Sequence, residues 1–392
     1  MSPPLPLDGI RVIDVSRVLA GPFATMLLAD LGADVVKVEP PGGDETRTWG
    51  PPWWGPPAER RSAYFASVNR NKRSVVLDLR TDDGRAILDR LATGADLLVH
   101  NHRPSVATRL GLASKRLASV HPELVVVAIG AFPGDAAARE RPAYDLLAQA
   151  VSGHMAVTGM PEGGAVRTGV ALLDLICGLE AAVGGLAALV GRGRARTVDV
   201  NLIEAGVASL TNVLGNVLAS GDEPTRWGSG HPNIVPYQAF ATRDGEIVVA
   251  AANDEQFARL LAVMGLRDDE RRFATNADRV ARRDELVPRL AQAIASRGRD
   301  ELVAALSAAD VPAGPLASVG EALAAMEASH DGAWVRVVDG VRLAPGPILV
   351  DGAHLPIHRA PPRLGEQTDE VLREVGIGAS DVARLRERGV VA

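Results

Sequence analysis

Five short β-branched runs recur early in the chain: IRVIDV (10–15), DVVKVE (34–39), SVVLDL (74–79), DLLVH (96–100) and LVVVAIG (124–130). A strand that is apolar on both faces must be covered on both faces. Strands that alternate with helix-length segments are joined by crossovers, which makes them parallel. PFATMLLADLGA (22–33) and DDGRAILDRLATGA (82–95) carry the helical period needed for those crossovers. The predicted fold class is therefore α/β, with a parallel sheet between helix layers. At 392 residues the chain exceeds what one core serves, so two domains are expected.

Beyond the strand-rich part, residues 174–219 are rich in Ala, Leu and Gly and predict two helices divided by GRGRARTVDV (191–200). SGDEPTRWGSGHPN (220–233) gathers Gly, Pro and charge and reads as a linker or flexible loop. EIVVAAANDEQFARLLAVMG (246–265) starts a new strand-to-helix pattern, with Asn253 or Asp254 as the helix cap. Charged helical stretches run on to about residue 328, and the tail from Arg359 holds two amphipathic helices. No internal repeat is present.

Hydrophobic residues make up 47% of the chain, enough for packed cores and against long disorder. The formal net charge of −6 argues against a nucleic-acid partner held by phosphate neutralisation. The lone cysteine, Cys177, excludes an intramolecular disulfide and points to the cytoplasm. Its neighbours are apolar at helical spacing, so it reads as a buried structural thiol. MSPPLPLDGI shows no basic region ahead of an apolar core, and no apolar run approaches the roughly 18 residues of a bilayer span. A soluble protein with neither signal peptide nor membrane partner is expected.

The chain has no Walker loop, HExxH, CxxC or GxSxG. After the first strand stands RVLAGP (17–22) instead of a glycine-rich dinucleotide turn, which speaks against nicotinamide chemistry. The eight histidines show no metal-ligand spacing; His100 and His102 stand two apart around a strand end, and no metal is predicted. One acid stands in an unusual place: Asp174, near the start of the apolar stretch GVALLDLICGLEAAVGGLAALV (169–190). It reads either as a first-turn carboxylate favoured by the helix dipole or as a nucleophile facing a cleft, and spacing leaves both open.

LDGIRVIDVSRVLAGPFATMLLADLGADVVKVEPPGGD (7–44), NRNKRSVVLDL (69–79), ADLLVHNHRPSVATRLGL (95–112) and PAYDLLAQAVSG (142–153) stand in that order. TGM (158–160), the aspartate of VALLDL, HPNIVPYQAF (231–240) and PRLGEQTDEVL (362–372) follow. This series resembles the class III CoA transferases, the group of formyl-CoA and carnitine-CoA transferases. The resemblance implies a Rossmann-like large domain built from both chain ends, 1–195 and 330–392. It also implies a smaller inserted α/β domain, 226–300, linkers at 196–225 and 301–329, and an interlocked homodimer. The partners implied are acyl-CoA and carboxylic acids, with coenzyme A as the carried group.

By the same resemblance Asp174 attacks the donor thioester to give a mixed anhydride and then an enzyme thioester. Its place at a helix start should keep it ionised. Val18, Leu19 and Ala20 should line the CoA pocket. Leu19 stands where formyl-specific members commonly carry Gln, which speaks against formate and oxalate. Lys72 and Arg73 are implied phosphate contacts, and Asn101, His102, Arg103 and Arg109 should follow the adenosine and diphosphate. Pro40 stands where some members have an Arg. Tyr144 should border the acyl site. Gly228, Ser229 and Gly230 occupy the region of an active-site flap, and read equally as a plain interdomain turn. An α-methylacyl-CoA racemase shares this pattern but needs Gly-His-Asp where this chain has Ala143, Tyr144 and Asp145, and a phenol with an ordinary pKa near 10 is a poor base for the task. A non-catalytic CoA-binding protein is the remaining alternative, against which Asp174 and Tyr144 together speak.

Overall fold

The structure, a computed structural model, describes residues 4–191, 193, 196–268 and 271–392. Residues 1–3 of the N-terminal reading, and residue 195 at the expected domain limit, lie outside the described residues.

In chain order the first unit holds β1 (Arg11–Asp14), α1 (Ala20–Asp30), β2 (Asp34–Glu39), β3 (Lys72–Val76), α2 (Asp82–Ala92), β4 (Leu97–His100), α3 (Pro104–Arg109) and β5 (Val125–Gly130). It continues through α4 (Asp145–Val151), α5 (Leu172–Val190), β6 (Thr197–Asn201) and α6 (Leu202–Ser209). The strands form one six-stranded sheet in the order β3-β2-β1-β4-β5-β6. Every pairing in it is parallel. That is the order of doubly wound nucleotide-binding sheets.

Successive strand residues feed opposite layers, as the period of two requires. Val12, Val35, Leu97 and Val127 pack with Leu27 and Leu28 of α1 and with Leu173, Cys177 and Ala181 of α5. Ile13, Val36, Leu98 and Val126 pack on the other face with Ile87, Leu88 and Leu91 of α2. Val371 and Leu372, from the C-terminal helix Thr368–Glu374, complete that second layer. Removing a fully buried Leu88 side chain would cost about 2–5 kcal/mol. Cys177 is buried and burial pushes its thiol up, in keeping with a structural role. Helix α5 seats closely against the start of α1 because residue 178 is glycine: a Cβ there would stand 2.6 Å from the Ala20 carbonyl oxygen.

The structure corrects three expectations of layout. Residues 196–225 are no linker, since they contribute β6, α6 and a helix over Asn212–Ser220. Thr197–Asn201 sits at the sheet edge with its residues only partly covered, so it lacks the apolar run that betrayed its neighbours. Residues 301–329 likewise hold most of helix Arg299–Ala308, strand Ala313–Pro315 and helix Val319–Ser329, the last opened by a Ser318–Glu321 capping box. Finally, α5 is 19 residues long and apolar enough, by length and composition, to cross a bilayer. Its Leu173, Cys177, Ala181 and Ala188 lie in the sheet's core, as in the central helix of a globular domain.

The chain divides into two compact units. The first takes the described residues up to His154 with Thr168–Thr211 and Asp331–Ala392; the second takes Met155–Arg167 and Asn212–His330. Residues 155–167, expected in the large domain, fall in the second unit because Arg226 donates to the carbonyls of Ala156 (3.3 Å), Met160 (3.4 Å) and Gly163 (3.0 Å). That unit is an antiparallel sheet of β7 (Tyr237–Ala241), β8 (Glu246–Ala250) and β9 (Ala313–Pro315). It is backed by α7 (Asp254–Met264), α8 (Arg283–Ala295) and α9 (Arg299–Ala308). Asn253 caps α7, accepting from the Gln256 N–H at 2.8 Å. The buried Arg279 donates to the Val235 carbonyl at 2.8 Å with its guanidinium 4.5 Å from the Phe257 ring. Gly228, with φ +61°, donates to Gly159 O at 3.0 Å, and Ser229 Oγ accepts from Ala239 N at 3.0 Å.

Candidate active site

From β1 the sheet grows one way through β2 and β3 and the other way through β4, so the loops leaving β1 and β4 diverge. Doubly wound sheets bind ligands in the crevice that this reversal opens at the strands' C-terminal ends. Here the crevice is a cleft of about 850 Å³ inside the first unit. Its walls are Arg17–Ala20 after β1, His100–Pro104 after β4, the end of β5 through Gly134, and β6 with the start of α6; Tyr144 and Asp174 open onto it. The sequence-predicted residues Val18, Leu19, Ala20, Asn101, His102, Arg103, Tyr144 and Asp174 are thus brought together.

Three predicted residues are not. Lys72 is fully buried, donating to Asp14 (3.0 Å), the Pro22 carbonyl (2.8 Å) and Asn69 (2.9 Å). Arg73 is spent on Asp34, Glu370 and Glu374 at 2.5–2.8 Å. Both belong to β3, and their charged heads are consumed by partners inside the protein, as buried charge requires. Arg109 ends α3 exposed and stands outside the cleft lining.

A buried charge network shapes the wall after β1. Burial opposes Asp14's charge, yet Lys72 and Lys37 hold its carboxyl well below the usual range. Lys37 donates to the Ser16 carbonyl at 2.9 Å and pairs with Asp44 at 3.0 Å. Asp44 in turn receives the Val18 N–H at 3.3 Å. Val18 has φ +68°, which is strained for a β-branched residue and places the turn where strain often marks a ligand site. Asn101 works here as a clamp: its Oδ1 accepts from Arg17 N at 2.9 Å and its Nδ2 donates to Arg17 O at 2.7 Å. His102 cannot serve as a charged phosphate contact, because burial and then Arg17 push it down to about 3. His100, behind it, is pushed by burial down to about 4.

Asp174 lies in the first turn of α5, half-buried. Its carboxylate has no hydrogen-bond or ion-pair partner among the described residues. The capping role belongs to Asp145, whose Oδ1 accepts from Leu173 N at 2.8 Å and Asp174 N at 3.4 Å. Burial, and then the Asp145 carboxylate, push Asp174 up to about 7. The expectation that the helix start keeps it firmly ionised is therefore corrected: the N–H groups that would do so are already taken. Tyr144, just before α4, is 60% exposed and faces the cleft, which excludes a core-packing role.

Four further cations of the cleft were missed in the sequence: Arg17, Lys115, Arg139 and Arg141. Arg141 lies 3.9 Å over the Phe132 ring, and Arg139 pairs loosely with Asp199 at 3.3 Å. The only signal was position, Arg17 beside Val18 and Arg141 just ahead of PAYD. A doubly wound α/β unit with a cation-lined cleft at its switch point, and with the unpartnered Asp174 carboxylate on its wall, is the architecture of an enzyme for a large phosphorylated substrate.

The profile of CoA-transferase family III matches residues 7–368. Succinyl-CoA:glutarate CoA-transferase of Homo sapiens is 37% identical over 380 residues, covering 94% of this chain and 86% of that protein. Succinate–glutarate CoA-transferase of Agrobacterium fabrum is 38% identical, covering 94% and 96%. A CAIB/BAIF family protein from Brucella suis superposes with a TM-score of 0.83 at 38% identity, covering 95% of this chain and 100% of that one. The chain belongs to CoA-transferase family III, and it is an enzyme that moves coenzyme A from an acyl-CoA to a carboxylic acid.

Proposed function

We propose that Asp174 carries the acyl group. One observation supports this above the rest: a carboxylate without a partner of its own opens into the cleft, while its neighbour does the capping. An Asp174 oxygen attacks the donor thioester carbonyl, the C–S bond breaks, and CoA leaves as thiolate beside a mixed anhydride. The thiolate attacks the aspartyl carbonyl, releasing the donor acid and leaving an aspartyl–CoA thioester. The acceptor carboxylate attacks that carbonyl, giving a second anhydride and thiolate, which recombine at the acceptor carbonyl into new acyl-CoA and free Asp174. Each step exchanges one acyl bond for another, without net protons or water. Arg17, Arg103, Lys115 and Arg141 are proposed to hold the phosphates and the acids' charges.

The acceptor proposed is a dicarboxylic acid of glutarate size, following the names of the relatives and the apolar Leu19 of the cleft wall. The enzyme is proposed to work in the cytoplasm as an interlocked homodimer. Incubation with succinyl-CoA followed by hydroxylamine should convert Asp174 into a hydroxamate, seen as a mass shift on its peptide. Asp174→Asn should fold, bind CoA esters and lose transfer. A label on another residue of an active enzyme, or full activity of Asp174→Asn, refutes the mechanism. A panel of free acids with succinyl-CoA, read by mass for new thioesters, tests the acceptor.

A further inference from the structure

A nucleophilic carboxylate beside a second, buried carboxylate is held in place by it and altered by it. Asp145, the first residue of α4, is buried, and its carboxylate accepts from three donors. Oδ1 takes Leu173 N and Asp174 N, the backbone that carries Asp174. Oδ2 takes Gln149 Nε2 at 2.6 Å, and Gln149 Oε1 takes Thr168 N at 2.9 Å. Gln149 is fully buried, so Asp145 and Gln149 together fasten the segment 168–174 to one face of α4.

We propose that Asp145 is the positioning residue of the transfer reaction: it fixes the first turn of α5 against α4 and holds a second carboxylate against the backbone that carries Asp174. This rests on Asp174 being the nucleophile. Two consequences follow from one carboxylate. The turn beneath Asp174 is pinned, so the attacking oxygen has a fixed origin. The adjacent negative charge makes the Asp174 carboxylate more basic, and a more basic oxygen is a better nucleophile where it is ionised. The other titratable groups in electrostatic reach of Asp174 are Tyr64 from helix Ala63–Ser67 and Cys177 from α5 itself, while Arg17 and Tyr144 line the same cleft. Tyr64 is pushed up by burial and then by both Asp174 and Asp145, which places the three groups within electrostatic reach of one another.

The test separates charge from scaffold. In Asp145→Asn the new amide meets the Gln149 amide donor to donor, so both functions suffer. Asp145→Asn with Gln149→Glu reverses that hydrogen bond and still offers an acceptor to Thr168 N, while moving the negative charge one residue away from Asp174. In wild type and variants, kcat and kcat/KM are measured between about pH 5 and 9, with Asp174→Asn as control. The double variant should shift the acid limb of kcat/KM down by about one pH unit. Asp145→Asn alone should show the same shift and lose kcat on the order of a hundredfold, because the turn is no longer fixed. Unshifted limbs in both variants, with Asp174→Asn inactive, would leave Asp145 a plain helix cap and overturn the proposal. An active Asp174→Asn would sink the nucleophile itself, whatever Asp145 does. Should the variants not fold, infrared titration of the wild-type carboxylates against Asp174→Asn reads the same quantity. An Asp174 ionisation in the ordinary range near 4 would then overturn the proposal.

Discussion

A carboxylate in the first turn of a helix is ordinarily held ionised by the unpaired N–H groups beneath it. Asp174 departs from this because Asp145 has taken those groups, so that burial, and then the Asp145 charge, push Asp174 up to about 7. Only the ionised form attacks a thioester, so kcat/KM should rise with pH through 7, with roughly tenfold less activity at pH 6 than at pH 8. A profile already flat from about pH 5.5 would contradict this. The sign for stability is the reverse. An acid whose folded pKa is raised contributes stability below its unfolded pKa and loses that contribution as pH rises through the folded value. Asp174→Asn should therefore raise Tm by a few degrees at pH 8 and leave it nearly unchanged at pH 4, as calorimetry can check. The sequence placed Asp174 through its motif and implied an ionised carboxylate from the helix start, whereas the charge state depends on burial and on a residue 29 positions away.

Strands β1 and β3 are tied through β2 by side chains that few patterns betray. Lys72 and Asp14 form a buried pair whose effect reaches the cleft by fastening the end of β1. Lys72→Met would leave the Asp14 charge with one partner fewer, costing about 3–5 kcal/mol of stability with little change in CoA-ester affinity. Arg103→Ala should do the opposite, weakening CoA-ester binding by about tenfold at unchanged Tm, since it is exposed and lines the cleft. Thermal unfolding and ligand titration on both variants discriminate; equal loss of affinity in the two would restore Lys72 as a phosphate contact. The motif around Lys72 showed which residues matter and not what they touch, because Asp14 and Lys72 meet only across the folded sheet. Five strands were legible because burial on both faces leaves them runs of β-branched residues, and this holds even for β3 at the opposite edge, which is buried along its length. The edge strand β6, with Asp199 and Asn201 facing water in part, carries no such mark and in sequence reads as linker.

An isolated chain leaves an apolar surface that one copy does not cover. Helix α5 buries Cys177, Ala181 and Ala188 against its own sheet, yet Leu179, Val183 and Val190 are 48%, 64% and 81% exposed. Positions 179, 183 and 190 fall on one stripe of the helix, since 3.6 residues make a turn. Leu146, Leu147 and Val151 of the adjoining α4 are exposed as well. A helix apolar on all sides belongs to an interior, and contiguous apolar surface of this kind marks an interface. Closed two-fold pairing is the commonest way to cover such a face. A second copy of this chain is the proposed occupant, in keeping with the interlocked homodimer. At micromolar concentration sedimentation equilibrium should give twice the mass of the 41.1 kDa chain. Val183→Glu would set a charge into that face, unpaired and removed from water, and should shift the protein towards monomer or aggregate while Val337→Glu, at another exposed valine, does neither. A wild-type monomer at that concentration, or an undisturbed dimer in Val183→Glu, would mean that α5 is not the seam.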